Sequence, residues 1–177
     1  QNVGSGEANN VAIGHSAGGA VTSGVQNVVM GSLTGDAITT GSDNVAIGYN
    51  ALSTEDTGGQ NVAIGAQALQ NLDAGANGLN VAIGFQAGTA MQTGVQNTIV
   101  GALAGDALTT GVSNVALGFA ALSASVDGDS NTAIGYAALL AYEDGDGNGH
   151  NTAVGAASQS AATTGEFNTS LGSSSMG

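Results

Sequence analysis

Two stretches decide the fold: Asn44-Val45-Ala46-Ile47-Gly48-Tyr49-Asn50-Ala51-Leu52 and, one period on, Asn61-Val62-Ala63-Ile64-Gly65-Ala66-Gln67-Ala68-Leu69. The frame they share recurs along the chain. Its anchors are Asn10, Asn27, Asn44, Asn61, Asn80, Asn97, Asn114, Asn131, Asn151 and Asn168; seven of the nine spacings are 17 and the other two are 19 and 20. A fixed period this short is the signature of a solenoid, in which each coil touches only its neighbours. The expected fold is all-β: a parallel β-solenoid (β-roll or β-helix) of about ten 17-residue coils, with residues 1–177 forming one repeat domain and no second domain.

Within a coil, let the anchor be position zero. Position one is Val in six coils and Thr in four, and position three is always apolar, from Ile13 through Leu171. Position two is small in most coils, as in Ala46, Ala63, Ala82 and Ala116. Side chains alternate across a strand, so positions one and three share a face. β-branched residues favour the extended conformation. The expectation is a short strand with its large residues turned inward.

Position four is Gly in every coil, which implies positive φ or a close backbone approach at a corner. Position seven is usually Ala, followed by Leu in Leu52, Leu69, Leu122 and Leu139. This reads as a second, thinner strand, because recurrent Gly costs a helix roughly 1 kcal/mol per residue. Coils stacked in parallel repeat at ~4.8 Å. The ten anchors would then form an amide ladder, each side chain donating to the next, as stacked Asn does in other parallel β arrays.

A longer period lies inside the short one. The coil from Asn10 resembles the coil from Asn80, and Gly35–Gly41 resembles Gly105–Gly111. This longer repeat carries Asn10 onto Asn80 and Asn80 onto Asn151, and the long coils are the fourth of each set. Their extra residues fall in Asp73–Leu79 and Glu143–His150 and are expected to bulge as loops on one side.

Composition narrows the function. Thirteen acidic residues and no Lys or Arg give a net charge of −13. Arg and Lys are the usual partners of phosphate and carboxylate, so neither nucleic acid nor an anionic membrane is an expected partner. There is no Cys, hence no disulfide or thiolate metal site. No apolar run approaches the ~20 residues that span a bilayer, so membrane insertion is not expected. The thin core and sticky ends of a lone solenoid favour self-association, as a trimer or another homo-oligomer. Nine residues precede the first anchor and ten run from the last, Asn168–Gly177. Together they approximate one long coil, which would suit a head-to-tail filament.

The candidate sites are few. Glu143-Asp144-Gly145-Asp146-Gly147-Asn148 alternates acidic oxygens with Gly, an arrangement that can wrap Ca²⁺, with Asp144, Asp146 and Asn148 as ligands. No bidentate Glu follows, and the nonapeptide calcium-roll motif is absent. Apart from Ca²⁺ no cofactor is expected. Tyr142, Glu143, Asp144, Asp146 and His150 form a candidate contact surface for a cell-surface glycan, since loops on a rigid scaffold tend to carry function and rings hold sugars. Position five holds His15, Tyr49, Phe85, Phe119 and Tyr136, rings expected to stack along the rod or at a subunit contact. No nucleophile–base frame is apparent, Asp127 and Asp129 read as a solvated turn, and no catalytic residue or enzyme activity is expected.

The frame Asn-(Thr/Val)-Ala-(Ile/Val)-Gly-(Tyr/Phe)-x-Ala-Leu, clearest at Asn44–Leu52, Asn114–Leu122 and Asn131–Leu139, closely resembles repeats of phage tail-fibre and bacterial surface proteins. Such repeats often precede a chaperone-type domain that assembles the trimer. They are also similar to the β-roll heads of trimeric autotransporter adhesins, whose coil is shorter. The resemblance spans Asn10 to Gly172 and implies an extracellular, cell-surface or virion fibre used in adhesion or host recognition. Two other classes compete. An ice-binding solenoid would use Thr39-Thr40, Thr109-Thr110 and Thr163-Thr164; a polysaccharide-degrading tail spike would need acids in a cleft.

Overall fold

The structure is a computed structural model that describes residues 8–142 and 149–176. Ten strands of three residues each run β1 (Val11–Ile13), β2 (Val28–Met30), β3 (Val45–Ile47), β4 (Val62–Ile64), β5 (Val81–Ile83), β6 (Thr98–Val100), β7 (Val115–Leu117), β8 (Thr132–Ile134), β9 (Thr152–Val154) and β10 (Thr169–Leu171). They form one parallel sheet in strict chain order, and like positions of successive coils pair directly, as Ala46 pairs with Ala63. The chain is therefore an all-β parallel solenoid with one strand to each coil. Among the described residues no helix is long and apolar enough to cross a membrane.

The facing of the strands is the reverse of the expected one. In none of the ten strands is either outer residue buried, whereas the middle residue is buried in nine. Ala46, Ala63, Ala82, Ala116, Ala133 and Ala153 have no exposed surface. The reason is the narrow cross-section. Leu52, Leu69, Leu122 and Leu139 at position eight reach the interior from the opposite wall, as do Ile38, Leu72, Met91 and Leu108 at position eleven. Little room remains for the strand, and Ala fits it.

The expected second strand is a run of overlapping turns. In the first coil Ala17 N–H donates to Gly14 O, Gly19 to Ser16, and Val21 to Gly18. Position eight has φ near +50° in every coil, whether it holds Leu52 (φ 50), Leu122 (φ 55) or Gly105 (φ 51). Left-handed backbone costs a residue with a Cβ roughly 1–2 kcal/mol; full burial of a Leu, about 1.5–3 kcal/mol, offsets it. At Gly35, Gly88 and Gly105 a neighbouring side chain takes the volume. A Cβ on Gly35 would sit 2.8 Å from both Val29 Cγ1 and Ile38 Cδ1, and one on Gly105 would sit 3.1 Å from Ile99 Cδ1.

The buried anchors stitch the coils together. At all nine junctions the anchor Oδ1 accepts the backbone N–H of the next anchor, at 2.8–3.2 Å. In Asn10, Asn27, Asn44, Asn80, Asn97, Asn114 and Asn151, Nδ2 also donates to a carbonyl of the return turn that leads into the next coil, as from Asn10 to Gly24 and from Asn97 to Gly111, both at 2.8 Å; Asn61 Nδ2 instead donates to Gly59 O, in the turn before its own coil. Side-chain to side-chain bonds, such as Asn114 Nδ2 to Asn97 Oδ1 at 3.1 Å, supplement these. The ladder thus runs chiefly through backbone N–H groups rather than from amide to amide. Each buried bond contributes about 1 kcal/mol net.

Candidate functional site

Because the middle residue points in, every strand offers its first and third residues to the outside, in most strands the two larger ones. The result is two parallel columns, Val or Thr at position one and Ile, Val, Leu or Met at position three, running from β1 to β10. Several members are widely open: Val11 43%, Ile13 55%, Ile83 37%, Leu117 44% and Leu171 80%. Two residues past each strand lies the ring column. Tyr49, Phe85, Phe119 and Tyr136 are about half exposed, and Phe119 stacks on Tyr136 with centroids 5.7 Å apart. The chain has only six Phe, Tyr and Trp side chains, so putting four of them on one exposed column is a marked bias.

Charge divides the coil in two. Positions one to eight hold no Asp or Glu in any of the ten coils. All 13 acids lie from position nine to the next anchor, as Asp36, Glu55, Asp106 and Asp129 do, or in the matching segment ahead of Asn10. The strand wall and the turns that follow it carry no acidic residue, and His15 is their one titratable nitrogen side chain.

The predicted contact loop divides. Tyr142 is 1% exposed and belongs to the hydrophobic core, which corrects its assignment to a contact surface. It stands at position eleven, in column with Leu72 and Leu108, and that column points inward. Glu143, Asp144, Asp146 and Asn148 lie outside the described residues. His150 is exposed and stacks on Phe167 with centroids 5.0 Å apart. Of the Asp127–Asp129 pair, Asp129 Oδ1 accepts the Val112 backbone N–H at 2.6 Å, which ties that carboxylate to the preceding coil. The Thr pairs are also partly committed. Thr39 Oγ1 donates to Asp56 O at 3.2 Å and Thr109 Oγ1 to Val126 O at 2.9 Å, so these hydroxyls link coils.

One acidic group escaped the sequence reading. Glu55, Asp56 and Asp73 bring carboxylate oxygens within 4.8 Å of one another, Glu55 buried and the other two exposed. Glu55 Oε1 accepts Gly58 N–H at 2.7 Å and Oε2 accepts Ala74 N–H at 3.0 Å, so this side chain moors the first long loop. Burial pushes its carboxyl above the usual range; the N–H bonds from Ala74 and Gly58 oppose that, and Asp73 and Asp56 add to it. Burial likewise raises Asp106. The oxygen donors are of the type a hard cation takes, although both Glu55 oxygens already serve the backbone. The signal in the sequence was positional: Glu55 occupies position eleven, an interior slot, and Asp73 follows one coil later.

No family model matches the chain, and none of the curated proteins or solved structures matches it.

Proposed function

We propose that the chain is a structural and adhesive segment of an extracellular or virion-borne fibre, serving attachment or filament assembly. One observation carries this reading: ten coils form a single sheet in chain order, with the anchor column bridging every junction. That construction supplies length and stiffness along one axis. Side chains of chemical interest are spread along the outside, which suits repeated weak contacts with a surface or a partner fibre. The resemblance to tail-fibre and adhesin repeats points the same way. Electron microscopy of the purified chain, with binding of the labelled chain to intact cells and to immobilised glycans, tests the proposal. Stiff rods that bind a surface support it; particles without rods, or rods that bind neither each other nor any surface, overturn it.

Ice binding is the second reading. The observation favouring it is the regular two-column array of Val, Thr and Ile on the outward strand wall, rather than the Thr pairs. A freezing-point hysteresis assay decides it: hysteresis lost on replacing outward residues supports it, and none at millimolar chain removes it.

A further inference from the structure

We infer that the uncharged strand wall is the docking surface for a second copy of this chain; the inference rests on the fibre reading and names the partner of its exposed face. The first argument is chemical. Positions one and three present some twenty Val, Thr, Ile, Leu and Met side chains, none of them buried within the chain. Exposed apolar arrays of this extent mark interaction surfaces, and a long uncapped apolar sheet is otherwise an aggregation hazard.

The second argument is electrostatic and selects the occupant. Two chains of charge −13 repel at long range. With every carboxylate from position nine onward, the strand wall is the side on which two copies can meet without bringing acids into the contact. Facing walls keep both sets of carboxylates away from the contact, the buried Glu55 within its own coil and the exposed ones, such as Asp56 and Asp73, in water.

The third argument is size. Ten coils at ~4.8 Å and three residues at ~3.3 Å give a wall of about 480 Å² before side-chain relief. Two such walls approach the roughly 1,000 Å² that specific interfaces bury. Because the columns repeat every coil, in-register contact recurs along the whole rod, and the exposed rings of Tyr49, Phe85, Phe119 and Tyr136 extend it.

The test uses the full chain. Sedimentation equilibrium of the parent is expected to give at least twice the 16.8 kDa chain mass. The triple variant Ile47→Glu, Ile83→Glu, Leu117→Glu is expected to sediment as a monomer. A control with the same added charge on the acidic side, Thr40→Glu, Thr57→Glu, Thr110→Glu, is expected to stay assembled. Since the chain has no Cys, a thiol can also be placed singly. In the assembled protein, Ile83→Cys is expected to react with a maleimide at least ten-fold more slowly than Thr110→Cys, which needs no charge in the wall. A monomeric parent, a face variant as assembled as the control, or equal thiol rates overturns the inference. Assembly that survives the face variant leaves the fibre reading standing on another contact. Assembly through the wall without rods or adhesion sinks the fibre reading alone. Freezing-point hysteresis in a monomeric parent, lost in the face variant, reassigns the wall to ice.

Discussion

Asn97 Oδ1 accepts the backbone N–H of Asn114 at 2.9 Å, while its Nδ2 donates to Gly111 O at 2.8 Å. One buried amide thus satisfies two backbone groups at the entry to the following coil. Asn97→Ala removes an acceptor and a donor together and leaves both groups buried. An unsatisfied buried group costs about 1–3 kcal/mol, so a loss of about 3 kcal/mol in urea unfolding is expected. Asn97→Asp keeps the acceptor but loses the donor, buries a charge, and is expected to lose a similar amount.

The corner glycines separate strain from collision. Gly101 has φ +139°, and a Cβ there would lie 2.3 Å from Gly118 O; Gly172 has φ +124° with nothing within 4 Å. Gly172→Ala carries backbone strain only, about 1 kcal/mol. Gly101→Ala must also push two coils apart, and its melting temperature is expected to fall several-fold further than that of Gly172→Ala.

Adjacent residues of β7 test the facing of the sheet. Ala116 is buried and Leu117 exposed. Ala116→Leu overpacks the interior and should cost about 1–3 kcal/mol. Leu117→Ala, measured in the dissociated chain, should cost under about 0.5 kcal/mol. Inward-facing large residues would give the opposite ranking.

Tyr142 and Tyr136 make a second contrasting pair, one in the core and the other 62% exposed. Tyr142→Ala is expected to lose about 3–5 kcal/mol, with any change in ligand binding following from unfolding. Tyr136→Ala, measured in the dissociated chain, should leave the melting temperature nearly unchanged.

Glu55 and Asp106 set an acid dependence. Burial raises both carboxyls above their unfolded values, so the native state binds more protons than the unfolded state between the two values. Their stabilising contribution is full below the unfolded pKa and is lost as pH rises through the folded one. The melting temperature should therefore rise as pH falls from 7 toward the carboxylate range, helped by relief of the net negative charge. Glu55→Gln should flatten part of that rise in a calorimetric pH series.

The period, the single parallel sheet and the corner glycines were legible because each is a one-dimensional signal. Asn, Gly and the apolar position three recur at fixed spacing, and solenoid stacking converts spacing directly into neighbourhood. The facing of the strands was not legible, because alternation tells which residues share a face and not which face is inside. Size argued for Val45 and Ile47 inward; the volume taken by Leu52 and Leu69 from the opposite wall decided for Ala46 and Ala63. Tyr142 was misjudged for the same reason. It looked like the start of a loop, yet it occupies the eleventh slot, whose inward direction emerges only once Ile38, Leu72 and Met91 are stacked. The Glu55 cluster needed two coils in contact to appear.

The alternation at position eight, Gly18 and Gly35, Leu52 and Leu69, Gly88 and Gly105, Leu122 and Leu139, bears on how such a chain can change length. A coil with Leu in this slot fits beside small strand residues, while the bulk of Val29 and Ile99 requires Gly there. Duplicating or deleting one whole block, such as Asn10 through Leu79, returns the same neighbours to every coil. Cutting out a single coil brings mismatched volumes together at the scar. Recombination is therefore expected to lengthen or shorten this molecule in whole blocks of four, so that its span behaves as a ruler with one coarse graduation.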